Sequence, residues 1–259
     1  VKLLTFLGSS LVAVTVVSAQ SPGIVIVQQE TRDGKVTTTQ VQIDKTHMRT
    51  EAGGGPVMVF DGVAQVARII NMDRKTYTEL TKAMMDDVSK QMGQMMEQLK
   101  NMPPEQRAMM EKMMARGGRG MPGTAAPAPI TYRATGSDTV GRWTCAKYDG
   151  TRAQQKVVEL CTVEPGALGL SEADFEVTKQ LAEFLKGLMP QMADQMAVIG
   201  TRAAQGYSGY PIRSTNFANG QVQSISELKE VRREPIPAST WQVPAGFKLE
   251  TPRGRGGRP

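Results

Sequence analysis

The feature that most constrains this chain is a series of short β-branched runs separated by very short turns. Ile24 to Val27, Val36 to Ile43, Val57 to Phe60 and Val66 to Ile70 are punctuated by Asp33-Gly34, Gly53-Gly54-Gly55 and Asp61-Gly62. Branched side chains favour the pleated conformation, whereas Gly and Asp interrupt it. Connections this short cannot hold a crossover helix, so neighbouring strands must run antiparallel. Residues 24–80 are therefore predicted to be an antiparallel meander. Strand patterning resumes at Ile130. Later, Tyr210 to Phe217 and Val222 to Val231 flank Asn219-Gly220, a dipeptide suited to a tight hairpin.

Between these regions the period changes from two to 3.6. A helix is predicted from about 78 to 102, where Met84, Met85, Val88, Met92, Met95, Met96, Leu99 and Met102 share one face and Asp, Lys, Gln and Asn the other. Pro103-Pro104 ends it, and Pro104 can open a second helix over 105–115 carrying Met109, Met110, Met113 and Met114. Residues 116–129 have the composition of a flexible linker. Ser171, with Asp174 three positions on, is expected to cap a third helix. Val177, Leu181, Phe184, Leu185, Leu188, Met189, Met192 and Met196 form its apolar face, and Pro190 kinks or divides it. The pattern specifies an α+β fold: a curved antiparallel sheet, an open half-barrel, with Met-rich helices against its concave face. Residues 20–251 make one domain, and 252–259 form a disordered basic Gly/Arg tail.

Residues 1–19 have the order of a secretory signal: Lys2, a short apolar run, then Val17-Ser18-Ala19 before Gln20. Cleavage after Ala19 is expected. Gln20 stands where a lipid-anchored protein needs Cys, so the product is expected to be periplasmic or secreted. In an oxidising compartment the two cysteines, Cys145 and Cys161, are expected to form a disulfide. They flank a hairpin whose turn is predicted to hold Asp149-Gly150. A net charge of +6 favours weak contact with anionic surfaces such as lipid headgroups. Export argues against nucleic acid as a partner, despite the Arg-Gly runs.

Eleven of the 17 methionines lie between Met84 and Met121. They are open to three readings: core packing, an adaptable apolar groove lined by Met84, Met92, Met95, Met96 and Leu99, or a soft-metal site. For the last, Met109, Met110, Met113 and Met114 place thioethers at i, i+4 spacing suited to Cu(I). Nothing points to catalysis. The single His47 lies in no hydrolase or zinc-site motif and is read as an ordinary exposed strand residue. No phosphate-binding loop is present, and no cofactor is expected.

Several stretches together resemble one family: Pro103 to Met110 after the Met-rich helix, Trp143 to Gly150, Ala167 to Leu170, Gly209 to Arg213 and Val243-Pro244-Ala245-Gly246-Phe247. Their order is similar to that of bacterial exported proteins with the domain of unknown function 4412. The closing Val-Pro-x-Gly-Phe also resembles the periplasmic lipoprotein carriers. That resemblance implies an open half-barrel plugged by helices, and a function only by analogy. The expected function is a non-enzymatic periplasmic binding or carrier protein for a lipid, an acyl chain or an apolar peptide. The alternatives are a Cu(I) binder and a structural or stress protein. An envelope component is a possible partner.

Overall fold

The computed structural model describes residues 20–103, 106, 128–186 and 206–250. Within them one sheet contains twelve strands. They are β1 (Gln20–Arg32), β2 (Lys35–Ile43), β3 (His47–Ala52), β4 (Val57–Asp61), β5 (Val66–Asn71), β6 (Thr76–Thr81), β7 (Thr131–Val140), β8 (Trp143–Arg152), β9 (Gln155–Val163), β10 (Tyr210–Ala218), β11 (Gln221–Pro237) and β12 (Lys248–Leu249). Two helices accompany them, α1 (Lys82–Asn101) and α2 (Glu176–Lys186). The spatial order is β12-β6-β5-β4-β3-β2-β1-β11-β10-β9-β8-β7. Every pairing is antiparallel except the short one between β12 and β6.

Two meanders, β1–β6 and β7–β11, are thus zipped together along β1 and β11, from Gln20 opposite Pro237 to Arg32 opposite Ser224. The outermost strands, β12 and β7, do not pair, so the sheet is open. This bears out the α+β class and the antiparallel meander. The chain leaves β6 at one side and returns as β7 at the far edge, roughly 50 Å away along a flat sheet. Its 20-residue α1 spans about 30 Å of that path. It touches both β6 and α2, so it sets off across the face that α2 covers.

That inner face holds the main apolar core. Ile24, Ile26, Val41, Ile43, Met48, Phe60, Ala67, Tyr210, Ile212 and Leu228 from the sheet meet Val177, Leu181, Phe184 and Leu185 of α2. The Phe60 and Phe184 rings lie 5.4 Å apart and tilted. Phe175 stacks at 6.0 Å on Tyr210, whose hydroxyl accepts a hydrogen bond from Gln28 Nε2 at 3.0 Å. Burial pushes that hydroxyl up to about 12. A second core lies on the opposite face, where Val57, Val59 and Ile70 are covered by Trp241, Val243 and Phe247 of the C-terminal segment. β4 is therefore buried on both sides.

Ser171 and Asp174 form the expected capping box, through a single 3-10 turn, Glu172–Phe175, that leads directly into α2. The Asp174 carboxylate accepts from Ser171 N–H at 2.6 Å, Ser171 Oγ at 2.8 Å and Arg233 Nη2 at 2.6 Å. Partial burial works to raise its pKa. The Arg233 guanidinium and the Ser171 donors outweigh that and hold the carboxyl below its usual range. The unfolded chain then takes up a proton first, so this contribution is full above about pH 4 and lost as pH falls through the depressed folded value. With Arg233 half exposed, Asp174→Asn should lose about 1 kcal/mol at pH 7 and far less near pH 3. Urea midpoints at the two pH values check this.

Two sequence expectations need correction. The helix does not begin at 78: Thr78 to Thr81 belong to β6, and the Thr81 hydroxyl accepts the Met84 N–H at 3.3 Å at the start of α1. Asp149-Gly150 is not a turn but part of β8, and the hairpin turns at Ala153-Gln154, both with positive φ. Gly150 serves close packing, because a Cβ there would lie 2.5 Å from Val158 Cγ1 and 2.8 Å from Tyr132 Cε1. The Cys145–Cys161 disulfide does form, with Cα atoms 5.4 Å apart, but the bridge runs diagonally because Cys161 pairs with Lys147. The signal segment 1–19, the second helix apart from Gln106, the linker up to 127, the stretch from Leu188 to Met196 and the tail lie outside the described residues.

Candidate binding groove

Met85 is buried in the main core, Met84 and Val88 are half-buried, and Asp86, Asp87, Lys90, Gln91, Gln94, Glu97 and Gln98 are exposed. The backbones of Met92, Met95, Met96 and Leu99 lie in α1; their side chains lie outside what is described, as do Met109, Met110, Met113 and Met114 entirely. Next to the start of α1, the inner face is incompletely covered. Ile69 is 39% exposed although it pairs with Met58, which packs on the main core. Leu80, one strand over, is only partly buried against the same core. These residues and the half-buried Met84 place apolar side chains at the β6–α1 junction.

A second feature lies towards the other edge. The β7–β8 turn approaches β10 and β11 and encloses a groove of about 570 Å³ lined by Val140, Arg142, Trp143, Arg213, Leu228 and Lys229 among others. Val140 and Leu228 belong to the main core, and Trp143 and Val231 pack against it. Arg213 of β10 forms an ion pair with Asp138 of β7 although β9 and β8 lie between them. The Thr139 N–H and the Arg213 guanidinium together hold the Asp138 carboxyl below the usual carboxylate range. Arg142 lies over the Trp143 ring at 4.8 Å. Sequence reading missed this groove, because its lining comes from two regions some 70 residues apart that only the topology brings together.

His47 is not the exposed strand residue expected. It is half-buried, stacked at 5.2 Å on Trp241, with Nδ1 3.1 Å from Asp44 Oδ1 and Nε2 3.9 Å from Asp61 Oδ2. It precedes the inward-facing Met48 and so projects from the outer face. Among the described residues no group of three or more His, Cys, Asp or Glu side chains could hold a metal ion. No described helix is long and apolar enough to cross a membrane.

The chain belongs to the family described as Domain of unknown function (DUF4412), whose pattern matches residues 72–247. No curated protein matches its sequence. Among solved structures it is similar to an uncharacterized conserved protein from Thermus thermophilus, at 10% identity and a TM-score of 0.44, covering 89% of this chain and 90% of that one. It is also similar to a Pseudomonas aeruginosa MucA/MucB complex, at 13% identity and a TM-score of 0.38, covering 87% of this chain and 56% of that one. Likeness this loose says nothing about what the chain binds.

Proposed function

We propose that this member of the DUF4412 family is a non-enzymatic carrier or binding protein of the bacterial envelope. It holds a hydrophobic ligand (a lipid, an acyl chain or an apolar peptide) between the inner face of its open sheet and the apolar face of α1. The observation that carries this reading is the partly covered strip of Met58, Ile69, Leu80 and Met84 beside an amphipathic helix.

Curvature supports the same reading. A twisted sheet of twelve strands tends to curl. In a flat sheet β10 and β7 would stand about 14 Å apart, a gap that the Arg213–Asp138 ion pair bridges more easily on a concave surface. A half-barrel of this kind encloses a groove. The buried disulfide suits an oxidising compartment, in line with the predicted signal peptide. The chain's one histidine is engaged with Asp44 and Trp241 on the outer face, consistent with a structural role.

The test is displacement of a fluorescent fatty acid from the purified chain, wild type against Ile69→Glu. Ile69 is exposed enough that the substitution should change stability by no more than about 1 kcal/mol. A carboxylate in the strip should weaken the fatty acid about tenfold or more. Undiminished binding by a folded variant would count against this site.

A further inference from the structure

We infer that the groove beneath the β7–β8 turn receives the headgroup of a zwitterionic phospholipid, an assignment that rests on the carrier reading above. The floor of the groove is apolar and continuous with the core, since Val140 and Leu228 belong to the main cluster and Trp143 and Val231 pack against it. The acyl chains of a lipid whose headgroup sits at the rim would rest on that apolar floor. The rim carries charge of both signs, Arg142, Arg213 and Lys229 with Glu227 and Glu230; Lys229 pairs with Glu227, Arg213 with Asp138 and Glu230 with Arg232.

This mixture selects among headgroups. A simple anion would meet Glu227 and Glu230, and a simple cation would meet three basic residues. A headgroup with one phosphate and one ammonium can satisfy both. Arg142 is the natural phosphate ligand: it lies over Trp143 at 4.8 Å, and among the described residues no carboxylate pairs with it. A guanidinium binds phosphate through two parallel hydrogen bonds and keeps its stacking face free. Glu230, whose partner Arg232 is also shared with Glu234, is the carboxylate best able to turn towards an ammonium group. Ion pairs at this degree of exposure are weakly held and exchange readily for a ligand. The groove's volume, about 570 Å³, is within the range of small-molecule sites.

The experiment is calorimetric titration of the full chain with dihexanoyl-phosphatidylethanolamine and dihexanoyl-phosphatidylglycerol, both below their micelle concentrations. The two share their acyl chains, so any preference reports the headgroup. Wild type should bind the ethanolamine lipid about fivefold tighter. Arg142→Gln should weaken binding of both lipids, and Glu230→Gln should reverse the preference, with thermal melts showing each variant folded. Equal binding of the two lipids, unchanged in both variants, would overturn the headgroup assignment and leave the carrier reading standing. The assignment alone also falls if neither lipid binds while the fatty acid does, or if the variants weaken only a mixed-charge peptide. If neither lipid nor fatty acid binds, both readings fall.

Discussion

Phe60→Ala should cost about 3–5 kcal/mol, the largest loss expected from any single substitution in this chain. Phe60 is fully buried in the middle of the inner face, and its ring meets Phe184 at 5.4 Å. It joins the first meander to α2 within the main core. Its neighbours cannot close the gap, because Val57 and Val59 of the same strand are held on the opposite face by Trp241. The cavity would therefore stay open, and α2 would lose its aromatic partner. Guanidinium denaturation followed by far-UV circular dichroism reads the loss. A change below about 1 kcal/mol would mean that α2 does not depend on this contact.

Removing the disulfide is expected to be nearly as damaging. Cys145 and Cys161 close a loop with a sequence separation of 16, for which the chain-entropy model gives about 3 kcal/mol. Both cysteines are 2% exposed within the main core. A reductant should therefore act slowly on the folded protein and fully on the unfolded one. The Cys145→Ala/Cys161→Ala variant should unfold at a much lower denaturant concentration than wild type. Wild type unfolded with a reductant present should approach it. If the reductant leaves the wild-type midpoint unchanged, the bridge does not stabilise this fold.

Much of the sheet is legible in the sequence, because its strands carry strong local signals. Asn219-Gly220 makes the predicted turn between β10 and β11, with positive φ at both residues. The apolar face of α2 is readable from its period, and Val177, Leu181, Phe184 and Leu185 are buried as expected. The errors arise where one residue type has two uses. Gly150 reads as a turn because glycine usually marks one, yet here it makes room for Val158 and Tyr132. Thr78 to Thr81 reads as helix because Leu80 falls near the apolar stripe of α1, and only pairing with β5 shows it to be strand.

The second core is the least visible element, although a signal exists. Val57-Met58-Val59-Phe60 is a continuous apolar run rather than an alternating one, the mark of a strand buried on both faces. The cover for its outer face lies about 180 residues away, at Trp241, and nothing local announces that meeting. The same holds for the charged groove. Arg142 and Arg213 look like ordinary surface residues until β7–β11 fold and bring the β7–β8 turn over β11.

Native mass spectrometry of the chain, purified from a bacterial periplasm without detergent, tests the carrier reading most directly. A fraction of the protein should carry a lipid-sized adduct, lost on extraction with organic solvent and reduced in Ile69→Glu. A bare chain that also fails to take up added fatty acid would contradict it. So would a copper-sized increment that persists after lipid extraction and disappears when Met109, Met110, Met113 and Met114 are replaced by leucine.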